Sequence, residues 1–483
     1  MADTQVLEVR NPRTGKADHT IAVASREEVA AKAARLRANQ PVWEAMGVGA
    51  RCGVMARWLG AVKARAMDIG EADAVDTGGC HTSYIQGFIT MGNIGGWLED
   101  APKAFTDLEW QGMSTSMPTV EIESQVVAYP ITGVISPWNA PLMLALLDAI
   151  PALFAGSAVL LKPSEVTPRV IETLFETVRE VPELAAVFDY VTGPGDVGQA
   201  VIAEADTICF TGSVLTGRKV AVACAERLIP CNLELGGKDP CIVTATADLD
   251  RAATAVLRGA VYATGQVCYS VERVYVHESV HDAFVEKLVA LAKEVRLNAD
   301  NPRAGHIGPF TFAPQAAIVM RHLEDARAKG ATVLTGGEIE DIGGGLYLRP
   351  TVLTGVTHEM EIMQDETFGP CIPVMAYSDT EEAIRLANDT HFGLTASVIA
   401  GDAEEAKAIG KRINAGGIFL QDTFLTFAKL RTFGSDSFGW SGYGAPRIGP
   451  ESLRRFLRRK SLLTQTGKVA DIQDDHHLGK PGA

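Results

Sequence analysis

The chain has 483 residues, 47% of them hydrophobic, with 44 basic and 59 acidic side chains and a net charge of −15. That length supports two or three domains with buried cores, and the acidic balance argues against a general nucleic-acid or anionic-membrane surface. The opening MADTQVLEVRNPRTGK has no apolar run, so no secretory leader is expected. The uncharged stretch from Val126 to Leu147 has the length of a bilayer span, but Pro130, Pro137 and Pro141 interrupt it. A buried strand, turn and helix is the expected form there, and no membrane association. The cysteines (Cys52, Cys80, Cys209, Cys224, Cys231, Cys241, Cys268 and Cys371) are scattered and unpaired in spacing. This suits reduced thiols of a cytoplasmic protein. His476 and His477 lie in a polar tail, and no histidine grouping has metal-ligand spacing, so no metal is expected.

From Val126 onward, strand-like and helix-like segments alternate. VVAYPITGVIS reads as strand and turn, PLMLALLDAIPALFAG as helix, SAVLLKP as strand and VTPRVIETLFETVREV as helix. A strand near VFDYVTG, a helix at VGQAVIAEA, a strand at DTICFTG and a helix at LTGRKVAVACAERL follow. A second alternating region holds the helix LDRAATAVLRGAVYATG, the strand SVERVYVHE, the helix VHDAFVEKLVALAKEV and the strand GGIFLQ. GGEIEDIGGGLYLRP reads as a glycine-rich connection, ESLRRFLRRK as a helix ending in basic residues, and SLLTQT as a strand at a subunit edge. Such alternation predicts an α/β fold of parallel sheets, in two domains that meet near Leu235-Gly236-Gly237.

Several motifs carry chemistry. Gly193-Pro194-Gly195-Asp196-Val197-Gly198 is a GxGxxG after a strand and before a helix, the context of a dinucleotide fold, although glycine turns are common. In FTGS, Ser213 stands where a hydroxyl caps a helix; it serves either as a plain cap or as part of an anion site. Lys162 and Glu165 in LLKPSE fall at the C-terminal end of a buried strand, where open α/β sheets bind ligands. They suit the hydroxyls of a ribose, or form a surface ion pair. The carboxylate would repel a 2′-phosphate, favouring NAD over NADP. Glu234, set between leucines in LELGGK, suits a general base whose pKa burial raises. Cys268 in GQVCYS follows a glycine turn with no histidine nearby, so its reading as nucleophile or small core residue depends on what the fold brings to it.

Taken in order, SPWNAP, LLKPSE, FTGS, LELGGK, GQVCYS and ETFGP resemble the aldehyde dehydrogenase superfamily, over about Asn11 to Thr464. The resemblance implies a Rossmann-like cofactor domain (1–113, 131–235 and 436–460), a second α/β catalytic domain (236–435) and a small β oligomerisation extension with the C-terminal tail (114–130 and 461–483). It implies Cys268 as nucleophile, the Asn139 amide and the Cys268 backbone N–H as oxyanion donors, and Glu234 as base. The cofactor, NAD with NADP as the alternative, is expected against Ser136, Trp138, Lys162, Ser164, Glu165, Gly195, Gly212, Ser213, Leu235, Glu366 and Phe368. Of these, Lys162 and Glu165 take the adenosine ribose, Ser213 the pyrophosphate, Glu366 the nicotinamide ribose, and Phe368 packs near the ring. A homodimer or homotetramer is expected, acting on a small-molecule aldehyde.

The chain departs from the family pattern in four places. The helix after Asn139 usually carries a lysine and here has Asp148, while the usual SGxGRE becomes Ser441-Gly442-Tyr443-Gly444-Ala445-Pro446. A pairing of Asp148 with Arg447 is expected in compensation. The loop QDTFLTFAKLRTFGSDSFGWSG lacks the lysine of the usual PFGGxKxSG, and Ala140 replaces a frequent aromatic. A wider entrance, and hence a bulky or aromatic aldehyde, follows as an expectation. The expected reaction is NAD-dependent oxidation of an aldehyde to the acid. The competing readings are a CoA-acylating dehydrogenase, disfavoured by Glu234 because hydrolysis needs a base, and a cysteine esterase that needs no hydride acceptor.

Overall fold

A computed structural model describes residues 5–79, 81–469 and 471–472. Cys80, His476 and His477 lie outside the described residues, as does the tail from 473. The other seven cysteines are free thiols. No described helix is long and apolar enough to cross a membrane.

Two large sheets organise the chain. The six-stranded sheet runs, in spatial order, Gly442–Tyr443, Cys231–Glu234, Thr207–Thr211, Ile131–Ile135, Ala158–Lys162, Phe188–Tyr190. Its strands are parallel except for Gly442–Tyr443, which pairs antiparallel with Cys231–Glu234. Ala158–Lys162 and Thr207–Thr211 are buried along their whole length, as strands covered by helices on both faces must be. Chain order reverses at Ile131–Ile135, whose neighbours lead away in opposite directions. That opens a crevice beyond its carboxyl end, where such sheets bind ligands.

The seven-stranded sheet runs Thr332–Thr335, Thr351–Thr354, Cys371–Tyr377, Val271–His277, Asp239–Val243, Thr395–Ile399, Gly417–Leu420. A separate three-stranded sheet joins Leu457–Gln465 to Val120–Ala128 and Gln111–Met113. Trp43, Trp58, Phe154 and Phe175 fill the core around the first large sheet, and Phe310, Leu348, Met360 and Tyr275 part of the core around the second.

Two segments differ from expectation. The glycine-rich GGEIEDIGGGLYLRP contains a hairpin, Ile339–Ile342 against Gly345–Leu348, and the left-handed Gly343 and Gly344 (φ 66° and 92°) make its turn. ESLRRFLRRK is not one helix. A 3₁₀ turn, Pro450–Phe456, ends as the chain enters the strand Leu457–Gln465. Helices fill the region before Val126 as well, at Arg26–Ala45, Gly47–Ala64, Ala66–Thr77 and Gln86–Thr106.

Candidate active site

The loop Ser136 to Ala140 leaves the strand Ile131–Ile135 at the reversal point and enters the helix Pro141–Ala155. Proline at the first helical position suits that entry, since its missing N–H would have no partner there. Asn139 stands on this loop, and its side-chain amide donates to the Gln266 carbonyl at 2.9 Å. One amide hydrogen is thereby fixed and the other is left for a ligand.

Glu234 ends the strand Cys231–Glu234, held between Thr211 on one side and Gly442 on the other. Its Oε2 accepts a hydrogen bond from Ser437 Oγ at 3.0 Å. Cys268 follows three consecutive left-handed residues, Ala263, Thr264 and Gly265 (φ 49°, 61° and 70°). For the two that are not glycine this backbone is costly, on the order of 1–2 kcal/mol each. Gly265 belongs there for a second reason: an added Cβ would lie 2.4 Å from the Gly369 carbonyl. The two glycines of LELGGK admit close neighbours. A Cβ at Gly237 would lie 2.3 Å from the Cys268 carbonyl oxygen, and one at Gly236 2.5 Å from a Glu366 carboxylate oxygen.

Two cavities meet at the sulfur. One, of about 90 Å³, is lined by Cys268, Glu234, Tyr269, Lys429, Ser437 and Arg447 among others. The second, of about 240 Å³, is lined by Cys268, Asn139, Trp138, Ser213, Glu366 and Phe368 among others. The fold therefore gathers the sequence-predicted nucleophile, base and amide donor around one point.

The electrostatics there oppose charge. Burial, then Glu366, Asp239 and Glu234, push the Cys268 thiol up to about 12. Burial also raises Glu234, against the opposing pull of Arg447 and Ser437. Glu366 is raised to about 8, chiefly by burial and by Glu272, although the Gly237 N–H donates to its Oε1 at 3.0 Å. The resting thiol is thus protonated and needs a nearby acceptor to react.

The larger cavity fits a dinucleotide. Thr211 Oγ1 in its lining, and Ser136 Oγ on the loop that leads into it, are buried without a hydrogen-bond partner among the described residues, a deficit that a polar ligand would relieve. Ser213 caps the helix Val214–Glu226, accepting from Thr216 N–H, so the N-terminal end of that helix faces the crevice next to Gly212. Lys162, ending the strand Ala158–Lys162, donates to Glu165 Oε2 at 2.7 Å. Ser164 between them accepts from Val166 N–H at 3.2 Å. Gly195 opens the helix Gly195–Glu204 with nothing within 4 Å of where its Cβ would stand, so there is space beside it. Leu235 lines the crevice, its N–H bound to the Ser441 carbonyl at 2.8 Å. The Phe368 ring, on a left-handed residue (φ 54°), meets the edge of Trp138 at 5.5 Å between centroids.

Residues 1–462 match the model of the Aldehyde dehydrogenase family. The chain belongs to that family. It is 38% identical over 462 residues, 93% of this chain and 87% of the relative, to the "Putative succinate-semialdehyde dehydrogenase [NADP(+)]" of Mycolicibacterium smegmatis. Among solved structures it is similar to "Putative Aldehyde Dehydrogenase PutA" of Anabaena variabilis, with TM-score 0.93 and 42% identity over 97% of this chain and 99% of that one. It is also similar to a betaine aldehyde dehydrogenase of Staphylococcus aureus in complex with NAD+, with TM-score 0.91 and 27% identity over 97% and 93% of the two chains.

The departures of this aldehyde dehydrogenase from the family motifs have a structural counterpart. Arg447 donates to Asp148 through Nη2 at 2.7 Å and Nε at 3.2 Å, as expected. Arg455 adds a bond to the same carboxylate at 2.6 Å, and this partner was not foreseen. Ala140 does not line either cavity at the sulfur. Met143 and Leu147, further along the helix, take that place.

The smaller cavity continues outward into a space of about 220 Å³ lined by Trp97, Met143, Leu147, Phe427, Leu430 and Ile448, with Arg431 and Asp100 at its rim. Arg431 there is paired with Asp100 at 3.0 Å and with Glu99 at 2.6 Å.

Other residues that shape the site lay outside the sequence-predicted set. Glu272 accepts from Thr367 N–H and Phe368 N–H, both at 2.8 Å, and from Lys238 at 2.7 Å, and so fixes the loop that carries Glu366 and Phe368. A glutamate inside the apolar run SVERVYV was the visible signal. Ser437 and Lys429 sit in the atypical loop and left no such signal. Away from the cavities, His322, Glu361 and Asp365 bring one ligand atom each within 4.8 Å of one another. Arg321 donates to Glu361 at 2.8 Å and stands 3.2 Å from His322 Nε2, so a guanidinium already serves as the cation there.

Proposed function

We propose that this enzyme oxidises a bulky, apolar or aromatic aldehyde to its carboxylic acid with NAD, through a cysteine thiohemiacetal and a thioester. The convergence of Cys268, Glu234 and Asn139 on two adjoining cavities carries the reading. Cys268 Sγ gives its proton to Glu234 and attacks the aldehyde carbon. The free hydrogen of the Asn139 amide and the Cys268 backbone N–H donate to the oxyanion that forms, each contributing about 3–4 kcal/mol of barrier reduction. Ser136, Trp138, Ser164, Gly195, Gly212, Ser213, Leu235, Glu366 and Phe368 hold the dinucleotide, with Lys162 and Glu165 on its adenosine ribose. When bound, the nicotinamide supplies the hydride acceptor. Glu234 releases the thiol's proton to solvent and, again a carboxylate, takes a proton from water, whose oxygen attacks the thioester carbon. The acid leaves, and the Cys268 thiolate regains a proton. A base facing the sulfur favours water over CoA as acyl acceptor.

Glu165 supports NAD over NADP, because its carboxylate stands where a 2′-phosphate would be repelled. The substrate class rests on the outer channel: its walls are mainly apolar, with Asn93 and Ser452 among them, and the charges that line it are paired, Arg431 with Glu99 and Asp100 and Arg447 with Asp148. A channel of that kind rewards apolar surface and offers no free charge to an ionic tail. Initial rates of NADH formation with benzaldehyde-type, short aliphatic, anionic and cationic aldehydes test it. A preference for any but the first group overturns the substrate assignment.

The domain limits given under Sequence analysis are part of this reading, as is assembly into a homodimer or homotetramer. The strand Leu457–Gln465 is exposed along most of its length and carries Leu462 and Leu463 outward, an edge that calls for cover. A cytoplasmic location fits the free thiols.

A further inference from the structure

Each turnover of an aldehyde dehydrogenase that hydrolyses its thioester releases protons inside a buried cavity, and Glu234 can hold only one. The helix after Asn139 offers no titratable cation for their removal, since Asp148 stands where the family has lysine and is locked between Arg447 and Arg455. Arg447 is itself fixed by two bonds to Asp148 and one to the Leu144 carbonyl at 2.6 Å, and a guanidinium does not give up its proton.

Lys429 is different. It lies on the loop rather than the helix, in the 3₁₀ turn Thr426–Lys429, half-buried, and it lines the same cavity as Cys268 and Glu234. Its ammonium donates to Ser435 Oγ, and Ser437, two residues on, donates to Glu234. The next residues, Leu430 and Arg431, line the outer channel, so Lys429 belongs to the segment that borders both the base's cavity and the channel beyond it. The ionisable groups lining the cavity with it are Glu234, Cys268, Tyr269, Arg447 and the exposed Asp436. Burial lowers the pKa of Lys429, and Glu234 is the charge that opposes the shift. Burial of this kind favours the free amine, the form that can accept a proton.

We propose that Lys429 is the proton-exit group of this enzyme: the free amine takes the proton from the Glu234 carboxylic acid, through Ser437 or a water, and passes it to solvent. The transfer leaves a carboxylate and an ammonium, and the ammonium then loses its proton to buffer. The inference rests on the reading of Glu234 as base given above. It makes Lys429 a positioning and exchange residue for deacylation, with no role in hydride release.

Pre-steady-state and steady-state NADH formation by wild type, K429A, K429M and K429R, each as full chain with saturating NAD, tests it. The expected result is a kcat lowered at least tenfold in all three variants, with a rapid first turnover of about one NADH per site, because the lost step follows hydride transfer. Methylamine added to K429A should restore kcat, with a pH dependence that follows the amine. K429R should stay slow, since it keeps the charge and cannot exchange the proton. The proposal is overturned if K429A or K429M keeps wild-type kcat and pH profile, if K429R alone restores kcat, or if methylamine has no effect on a folded K429A. Should K429A and K429M fail to fold, K429R decides by the same criterion. If wild type itself forms no NADH with any aldehyde, the functional reading fails, a result distinct from failure of the lysine's role.

Discussion

Arg447 and Asp148 join the C-terminal segment to the helix Pro141–Ala155 by two hydrogen bonds, 2.7 and 3.2 Å long, on side chains that are 7% and 3% exposed. Arg455 binds the same carboxylate, so two guanidiniums share one negative charge. D148N would leave them uncompensated in the interior. Removing one partner of a buried ionic group costs about 3–5 kcal/mol. Urea unfolding of D148N should show a loss of that order, and a loss below about 1 kcal/mol would contradict a structural role for the triad.

Ser437 stabilises the ionised form of Glu234 by donating to it. In the proposed role as base Glu234 works as the carboxylate, so activity should rise with pH through its pKa. Burial already places that rise above the ordinary glutamate range. S437A removes a contribution that lowers the pKa, so the acid limb of kcat should move to higher pH. An unmoved or lowered limb would count against the assignment.

E234Q keeps the shape and removes the proposed base. General-base catalysis is worth about 10²–10⁴-fold, so kcat should fall by that range. If the thioester still forms, a burst of NADH should precede the slow phase. Stopped-flow absorbance distinguishes this from loss of both phases.

The carboxylate of Glu165 is bound by Lys162 at 2.7 Å. With the adenosine ribose at Lys162 and Glu165 as proposed, E165Q should remove the repulsion of a 2′-phosphate and free the lysine to meet it. The ratio of kcat/KM for NADP over NAD should rise about tenfold, equivalent to about 1.4 kcal/mol.

In G237A the new methyl would meet the backbone oxygen of Cys268 at 2.3 Å. Backbone cannot swing aside as a flexible side chain can, so Cys268, the proposed nucleophile, should be displaced. A misplacement of about 1 Å costs on the order of 10²-fold. Thiol labelling should still detect Cys268, while kcat/KM collapses.

How much of this was legible in the sequence varies with the physics of each segment. Buried parallel strands such as AVLLK and TICFT announce themselves as short apolar runs, and the motifs at their ends name the residues that the crevice collects. The pairing of Asp148 with Arg447 was legible because two motif departures removed opposite charges together. Arg455 was not, because ESLRRFLRRK has helical spacing. In the fold, nine residue pairs with Val120–Ala128 draw Leu457–Gln465 into a strand and override that local preference. The triple glycine of GGGLY was read as connection, whereas two of those glycines form a tight turn. The early helices went unplaced because their pattern is weak; Arg26–Ala45 buries Gln40 and contains Pro41. Ser437 and Lys429 lie in irregular loop, where no periodicity marks the residues that face a cavity.

The central claim is that one sulfur, Cys268, carries the acyl group. The most direct measurement is intact-protein mass after wild type and C268A are mixed with NAD and an aromatic aldehyde and quenched within the first turnover. Wild type should gain the mass of one acyl group, and C268A should gain none and form no NADH. An unmodified wild type that turns over, or NADH formation by C268A at the wild-type rate, would contradict the account.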